Sequence, residues 1–185
     1  DPSINKQWYL NAIQAPKAWQ VSVNTSSIVV AVIDDAIMIN HEDLAKNLWA
    51  NPKEIPNNNR DDDGNGYTDD IHGWNFGNNN NNPSPVAACT GEHSGHGTHV
   101  AGAIGAVGNN NKGIVGVSPK VKIMSLAVGR ANEGCGLDSA GIIAAVNYAI
   151  ANGANIINLS LGGPMAGSVA KSVYQKAANN NVLLV

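Results

Sequence analysis

Three histidines stand at three-residue intervals in the segment EHSGHGTHVAG, residues 92 to 102, just before an apolar periodic stretch. Imidazole can bind zinc or accept a proton, so His93, His96 and His99 are the first candidates for chemistry. A helix turns about 100° per residue, which brings His96 near His99 and leaves His93 pointing about 120° away from His99. The three rings therefore do not converge on one zinc ion, and no HExxH spacing supplies a further ligand. A zinc hydrolase and plain core or surface histidines both stay open as alternatives.

His96 differs from its two neighbours because Gly95 and Gly97 leave its ring accessible at the start of a predicted helix. Asp34 ends the apolar run SIVVAVID, residues 27–34. In open α/β sheets, reactive groups collect beyond the carboxyl ends of the strands, which suits a catalytic carboxylate at this position. The commoner role of an acid at a strand end is a turn or a helix cap. Residue type and place alone leave Asp34 open between these two roles.

The segment DDDGNGYTDD, residues 61–70, carries the alternating oxygen pattern of a calcium loop with a glycine at the sharp turn. Position twelve of that pattern is His72 rather than glutamate, so Asp70 is expected to substitute. A solvated acidic loop is the alternative, which like-charge repulsion disfavours. The pattern therefore predicts calcium as a cofactor, with these ligands: Asp61, Asp63, Asn65, Tyr67, Asp69 and Asp70.

Four continuous apolar runs predict strands that are buried on both faces: residues 27–34, 121–128, 154–160 and 182–185. Helical patterns lie between them at residues 96–107, 137–153 and 168–180, the last with Ser168 as its N-cap. Such alternation predicts an α/β fold, a parallel sheet with helices on both faces. Residues 51–95 are rich in Asn, Asp, Gly and Pro and are predicted to form one long surface excursion.

The composition limits the partners of the chain. Its 185 residues fit one domain, only 14% of them are charged, and the net charge is -3. Nucleic acid and anionic membrane surfaces are therefore not expected as partners, and no apolar run approaches the roughly 18 residues of a membrane span. The start at Asp1 fits removal of a signal or pro-segment, or excision by cloning.

Cys89 and Cys135 are an even pair whose spacing matches no CxxC metal motif. A disulfide formed in an oxidising compartment is the favoured interpretation. Two buried free thiols are the alternative.

The blocks VAVIDDAIMINHEDL, GHGTHVAG and GANIINLSLGG, in this order, closely resemble the signature blocks of the subtilisin-like serine proteases. They span Asp34 to Gly163, and the strand pattern extends the match to both ends of the chain. In that family the catalytic residues follow the order Asp, His, Ser. The resemblance therefore implies that His96 takes the proton of a serine hydroxyl and that Asp34 orients the ring.

The resemblance also implies a protein or peptide substrate that binds as an added strand. The backbone edge for that strand is Ser160 to Gly163, at the end of the third block, and the loop Glu133 to Ser139 lies on its other side. The implied substrate-binding residues are Ser160, Leu161, Gly162, Gly163, Gly134, Cys135 and Gly136.

The chain departs from the family pattern in two places. Asp35 and Ala36 follow Asp34, where the family usually has a small residue and glycine. No GTSMA-like nucleophile block and no AAGN segment for the oxyanion asparagine occur in the 185 residues. The Ser168-Val-Ala-Lys171 spacing resembles that of penicillin-recognising enzymes but lacks their supporting blocks.

We therefore expect residues 1–185 to be the N-terminal part of a single peptidase domain. The nucleophile and the C-terminal part are expected on a segment beyond residue 185, which would be the partner of this chain. A catalytically inactive family member that serves binding is the alternative.

The resemblance implies a second calcium site as well. Its ligands would be the side chains of Asp1, Asp43 and Asn110 and the backbone oxygens of Val107, Lys112 and Ile114. Plain surface acids are the alternative for Asp1 and Asp43. Taken together, the expectation is a secreted, calcium-stabilised serine endopeptidase.

Overall fold

A computed structural model describes residues 1–22, 25–86, 95–130, 136–137, 139–162 and 167–185, with only the backbone described for residues 167–170. Its centre is a five-stranded sheet with the order β2-β3-β1-β4-β5, in which every pairing is parallel. The strands are β1 (Val29–Asp34), β2 (Gly73–Asn75), β3 (Lys122–Ala127), β4 (Ile156–Asn158) and β5 (Leu183–Leu184). The predicted α/β class with a parallel sheet is confirmed.

Strand β1 lies in the middle of the sheet, and its residues from Val30 to Asp34 are buried. Successive side chains of a strand point to opposite faces, so Val30 and Val32 share one face while Ala31 and Ile33 share the other. Each pair belongs to a different apolar cluster. A strand buried on both faces must be apolar throughout, which explains the uninterrupted run of the sequence.

Helices cover both faces of the sheet. Helix α3 (His96–Gly105) packs through Ala101 on the face that carries Val30 and Val32. Helices α4 (Ser139–Ala151) and α5 (Gly167–Asn179) cover the opposite face. Two short helices, α1 (Trp8–Ala12) and α2 (Ala15–Val21), precede β1, and single 3-10 turns lie at Ile4–Lys6 and Ala45–Asn47.

The element bounds differ from the sequence prediction at several places. Helix α5 begins at Gly167, so Ser168 lies inside the helix and the prediction of Ser168 as its N-cap is wrong. Strand β4 covers Ile156–Asn158 and is shorter than the predicted run 154–160. The short helices α1 and α2 carry too few apolar repeats to be predicted from periodicity.

The segment 51–95 is only partly a surface excursion. It contributes β2, which pairs with β3 at the edge of the sheet, and Trp74 and Asn75 are buried there. Glu54, Asp69 and Asp70 are buried as well. The prediction of one continuous surface loop is therefore wrong for these residues, because hydrogen bonds within the segment allow its polar side chains to be buried.

None of the helices among the described residues has the length and apolar character needed to cross a membrane.

Candidate active site

Asp34 lies at the carboxyl end of β1, with 1% of its surface exposed. Its Oδ1 accepts hydrogen bonds from the backbone N–H of Asp35, at 2.8 Å, and from the imidazole Nδ1 of His96, at 2.7 Å. Its Oδ2 is buried without a partner among the described residues. A carboxylate so deeply buried forms its strongest described contact with one imidazole, which is the arrangement that orients a ring.

His96 is the first residue of α3, and 47% of its side chain is exposed. Gly95 precedes it with a φ of +96°, a backbone angle that glycine adopts without a steric cost. With Nδ1 bonded to Asp34, the second ring nitrogen, Nε2, is left to meet an incoming group. The site therefore presents an imidazole on the open side and a buried carboxylate behind it.

Asp34 and His96 each shift the pKa of the other. Burial raises the pKa of Asp34, and the hydrogen bond from His96 opposes part of that rise. The same hydrogen bond raises the pKa of the His96 imidazole above its ordinary value. The positive form of the ring is stabilised beside Asp34, which is what a base needs while it holds a proton during the reaction.

Small residues bring α3 close enough to β1 for this contact. A Cβ on Gly97 would lie 2.5 Å from the carbonyl oxygen of Ala36 and 2.8 Å from Cβ of Asp34. A Cβ on Gly105 would lie 2.7 Å from Cγ1 of Val121. Gly97 and Gly105 are therefore needed for the close packing of the helix on the sheet.

The other histidines of the motif do not join this contact. His99 is exposed and lines a cavity of about 530 Å³ together with Met38 and His41. His93 lies outside the described residues. Within the described ranges, the cluster that contains His96 has Asp34 and Asp35 as its other members, so the grouping of His96 and His99 as shared zinc ligands is not present there.

The sequence predicts no role for Asp35, but in the structure its carboxylate binds the backbone at the start of α3. Its Oδ1 accepts the N–H of Gly97 at 2.7 Å, and its Oδ2 accepts the N–H of Gly95 at 3.2 Å. These are the residues on either side of His96. The sequence gives no signal for this contact, because Asp35 at the end of a strand and Gly95 at the start of a helix are 60 residues apart.

The predicted substrate edge is described in part. Ser160 and Gly162 are exposed after β4, with Leu161 between them. Gly136 is exposed, and its carbonyl accepts the N–H of Arg130 at 3.1 Å. The remaining predicted residues Gly134, Cys135 and Gly163 lie outside the described residues, as does Cys89 of the predicted disulfide. Ser168 has no described side chain, so the S-x-x-K spacing gains no support.

The acidic loop brings three carboxylates together. The side chains of Glu54, Asp61 and Asp63 place oxygen atoms within 4.8 Å of one another. Asp61 and Asp63 were predicted as calcium ligands, whereas Glu54 was missed. Glu54 is buried, seven residues before Asp61 in the sequence, and the loop pattern offers no signal for it.

The other predicted ligands of this loop are placed unequally. Asn65 donates from Nδ2 to Asp70 at 2.9 Å, and Asp70 also accepts from the hydroxyl of Tyr148 at 2.5 Å. Asp69 points elsewhere, since its carboxylate accepts the backbone N–H groups of Asn58 and Asn59. Burial raises the pKa of the Tyr148 hydroxyl, and the nearby Asp70 raises it further. The carboxylates of Asp69 and Glu54 both accept backbone N–H groups, but among the described residues Glu54 and not Asp69 lies in the cluster with Asp61 and Asp63, so Asp69 is the weaker candidate ligand.

This loop suits a hard cation. Its converging side chains offer carboxylate oxygens, the donor type that calcium prefers. No lysine or arginine of the described residues forms an ion pair with them. Three carboxylates this close repel one another unless a cation neutralises them.

The residues predicted for the second calcium site are neighbours in the fold. Asp43 is buried, and it accepts from Nδ2 of Asn110 at 2.7 Å and from the N–H of Ile114 at 3.0 Å. Asp1 accepts the N–H of Asn110 at 3.1 Å. Gly113 borders this cradle, and a Cβ there would lie 2.5 Å from Oδ2 of Asp43. The side chains expected to bind calcium thus lie together, and their donor atoms are oxygens.

The sequence is similar to those of known proteases. A model described as the subtilase family matches residues 25–185. Thermitase of Thermoactinomyces vulgaris is 31% identical over 186 residues, covering 100% of this chain and 55% of thermitase. Subtilisin-like protease 1 of Plasmodium berghei (strain Anka) is 35% identical over 190 residues, covering 100% of this chain and 30% of the relative. The major intracellular serine protease of Bacillus subtilis (strain 168) is 33% identical over 176 residues, covering 95% of this chain and 47% of the relative. The chain thus spans 30% to 55% of the length of these relatives.

Proposed function

The chain belongs to the subtilase family, and we propose that it is part of a serine endopeptidase in which Asp34 and His96 are the acid and the base of the catalytic triad. The observation that carries this proposal is the 2.7 Å hydrogen bond between Asp34 Oδ1 and His96 Nδ1 at the carboxyl end of β1. The chain order of these two residues agrees with the family order Asp, His, Ser.

In the proposed reaction, Nε2 of His96 takes the proton of a serine hydroxyl while the oxygen attacks the carbonyl carbon of the scissile peptide bond. Asp34 keeps the proton on Nδ1, so that Nε2 carries the free lone pair. The imidazolium then gives its proton to the departing amine. The buried carboxylate stabilises that charged ring, which agrees with the raised pKa of His96.

The serine is proposed to come from a segment beyond residue 185. The 185 residues contain no nucleophile block of the GTSMA type, and they span about half of thermitase, at 55%. We propose the same origin for the oxyanion donor, since no AAGN segment occurs in the 185 residues. Residues 1–185 then supply the acid, the base and part of the substrate edge of one peptidase domain.

The substrate is proposed to be a protein or peptide in extended form. Ser160 and Gly162 are exposed beyond β4, and Gly136 is exposed in the neighbouring loop. An extended peptide can add its backbone to such an edge through N–H and C=O groups. The other predicted substrate-binding residues, Gly134, Cys135 and Gly163, belong to the same proposal.

Calcium is proposed as the structural cofactor at both oxygen-rich clusters. In the acidic loop, Glu54, Asp61 and Asp63 would hold it, with Asn65, Asp70 and the backbone of Tyr67 nearby. In the second cluster, Asp1, Asp43 and Asn110 would hold it, with the backbone oxygens of Val107, Lys112 and Ile114. When bound, the cation would neutralise the clustered carboxylates and stabilise the folded loops.

Two further proposals come from the sequence. We propose that Cys89 and Cys135 form a disulfide, which links the segment before His96 to the loop beside the substrate edge. We also propose that the protein is exported, because a disulfide and calcium sites both suit an extracellular setting. One relative is by its name an intracellular protease, so location is a separate question from family.

The proposal is tested with the full chain that the gene encodes, assayed for cleavage of a casein substrate. His96→Ala should lower kcat/KM by at least about 100-fold, the contribution expected of a general base. His99→Ala is the matched control, because His99 is exposed on the same helix and the described hydrogen bonds of the Asp34 carboxylate go to Asp35 and His96 instead. Equal activity of the wild type and His96→Ala would refute the assignment.

A further inference from the structure

Asp35 holds the two peptide groups that flank His96. Its Oδ1 accepts the N–H of Gly97 at 2.7 Å, and its Oδ2 accepts the N–H of Gly95 at 3.2 Å. Asp34, the preceding residue, holds the ring of His96 through Nδ1 at 2.7 Å. Two consecutive carboxylates thus bind the first turn of α3: Asp34 binds the side chain of His96, and Asp35 binds the backbone on either side of it.

Helix α3 has no cap of its own. Its N-cap residue is Gly95, which has no side chain, and the first turn contains no acidic residue. The first N–H groups of a helix lack partners within the helix and favour a negative charge beside them. Asp35 supplies both the acceptor and the charge from a different element of the fold.

The backbone of Asp35 is itself anchored. Its carbonyl accepts the N–H of Gly129 at 3.3 Å, and the carbonyl of Asp34 accepts the N–H of Val128 at 2.9 Å. The Asp35 carboxylate also accepts the N–H of Ala36 at 2.6 Å, which fixes its orientation. Because these hydrogen bonds hold Asp35 in place, its carboxylate can fix the position of the first turn of α3.

We propose that Asp35 is a positioning residue that fixes the first turn of α3, so that the His96 imidazole stays in register with Asp34. The inference rests on the proposed function for its catalytic meaning, and on the geometry alone for its structural meaning. It explains why an acid is compatible with this position, where the family usually has a small residue.

The negative charge of Asp35 and its hydrogen bond to the Gly97 N–H have different expected effects on His96. The carboxylates that raise the pKa of His96 among the described residues are Asp34, chiefly through its hydrogen bond, and Asp35, through a smaller electrostatic attraction. Asparagine at position 35 removes the charge but keeps an oxygen that can accept the Gly97 N–H. Alanine removes both, so the two variants separate the effects.

The test compares Asp35→Asn and Asp35→Ala in the full chain that the gene encodes. Proton NMR follows the low-field signal of His96 Nδ1–H, and a pH titration follows its ring carbon protons. Kinetics on a chromogenic peptide separate kcat from KM. Glu42→Gln is the control, because it removes the same charge from an exposed residue paired with Lys112.

The wild type and Glu42→Gln should both show the low-field proton. Asp35→Asn should keep the signal while the titration midpoint falls slightly. Asp35→Ala should broaden or lose it and lower kcat by about 10- to 100-fold with little change in KM, the size of effect expected of a misplaced catalytic group.

Three results would overturn the proposal: an unchanged low-field signal in Asp35→Ala, equal loss of the signal in Asp35→Asn and Asp35→Ala, or a rise in KM at constant kcat. If Asp35→Ala does not fold, loss of the signal in folded Asp35→Asn also overturns it, and retention supports it. The NMR readouts need no peptidase activity. A chain with the expected signals but no peptide cleavage would therefore refute the proposed function and leave the positioning role standing.

Discussion

Oδ1 of Asp34 lies 2.7 Å from Nδ1 of His96, although 62 residues separate them in the chain. Asp34 ends the central strand and is 1% exposed, whereas 47% of the His96 side chain is exposed at the start of α3. The carboxylate is fixed inside the fold and the imidazole faces solvent. This asymmetry suits a base that must meet a substrate while a buried carboxylate controls its tautomer.

The pH dependence of kcat/KM should reveal this pair. The hydrogen bond with Asp34 raises the pKa of His96 above its usual value of 6.5. Only the neutral ring accepts a proton, so activity should fall as the pH drops through a midpoint above 6.5. Asp34→Asn should move that midpoint downward and lower kcat. A midpoint that is the same in both proteins would contradict the account.

The glycine pair of α3 offers a stability test. In Gly97→Ala, the new Cβ would lie 2.5 Å from the backbone oxygen of Ala36, so we expect a loss of roughly 1–3 kcal/mol in the free energy of unfolding. Gly102→Ala is the matched control, because its Cβ would meet Cδ1 of Ile114 at an ordinary 3.5 Å. Alanine favours a helix by up to about 1 kcal/mol over glycine, so this variant should be neutral or stabilised. Urea unfolding of both proteins measures the difference, and equal losses would argue against close packing at Gly97.

Calcium should stabilise the protein through the acidic loop. Excess calcium at about 100 times its Kd would add about 2.7 kcal/mol to the free energy of unfolding for each site. Glu54→Gln should reduce the calcium-dependent rise in Tm and remove one bound ion in calorimetric titration. Glu42→Gln carries the same change at an exposed position and should retain both. An unchanged stoichiometry in Glu54→Gln would exclude Glu54 as a ligand.

The Tyr148 hydroxyl should contribute to stability from the opposite side of the same loop. It donates to Asp70, which is 0% exposed. Tyr148→Phe leaves a buried carboxylate with one donor fewer, and we expect a cost of about 1–3 kcal/mol. Tyr174→Phe is the control, because Tyr174 is 49% exposed, and its effect should stay within about 0.5 kcal/mol. Equal midpoints of denaturant unfolding for the two variants would contradict this role.

The parts of the fold that sequence reasoning predicted are those with a local signal. Strand β1 is an apolar run, and α3 follows a glycine-flanked histidine with small residues in its pattern. Strand β2 has only three residues in an Asn-rich segment, so its pairing with β3 depends on long-range packing. Local pattern therefore predicts the sheet centre and the helices α3, α4 and α5, but not the short helices α1 and α2 or the edge strand on the β3 side.

The candidate site divides in the same way. Asp34 and His96 stand in motifs with a recognisable order. Glu54 and Asp35 do not, because their contacts depend on how the chain turns. The residues between Glu54 and Asp61 include Asn57 and Asn59 with positive φ, which the loop pattern does not specify. Asp35 reaches Gly97 only because α3 packs tightly on the end of β1.

Labelling with a serine-directed fluorophosphonate tests the central claim most directly. The account predicts that the full chain encoded by the gene is labelled at one serine beyond residue 185, and that His96→Ala abolishes the labelling while His99→Ala does not. Residues 1–185 alone should remain unlabelled. Labelling of Ser160, Ser168 or any other serine within residues 1–185 would contradict the account. Undiminished labelling in His96→Ala would also contradict the assignment of Asp34 and His96 as a catalytic pair that acts with a serine beyond residue 185.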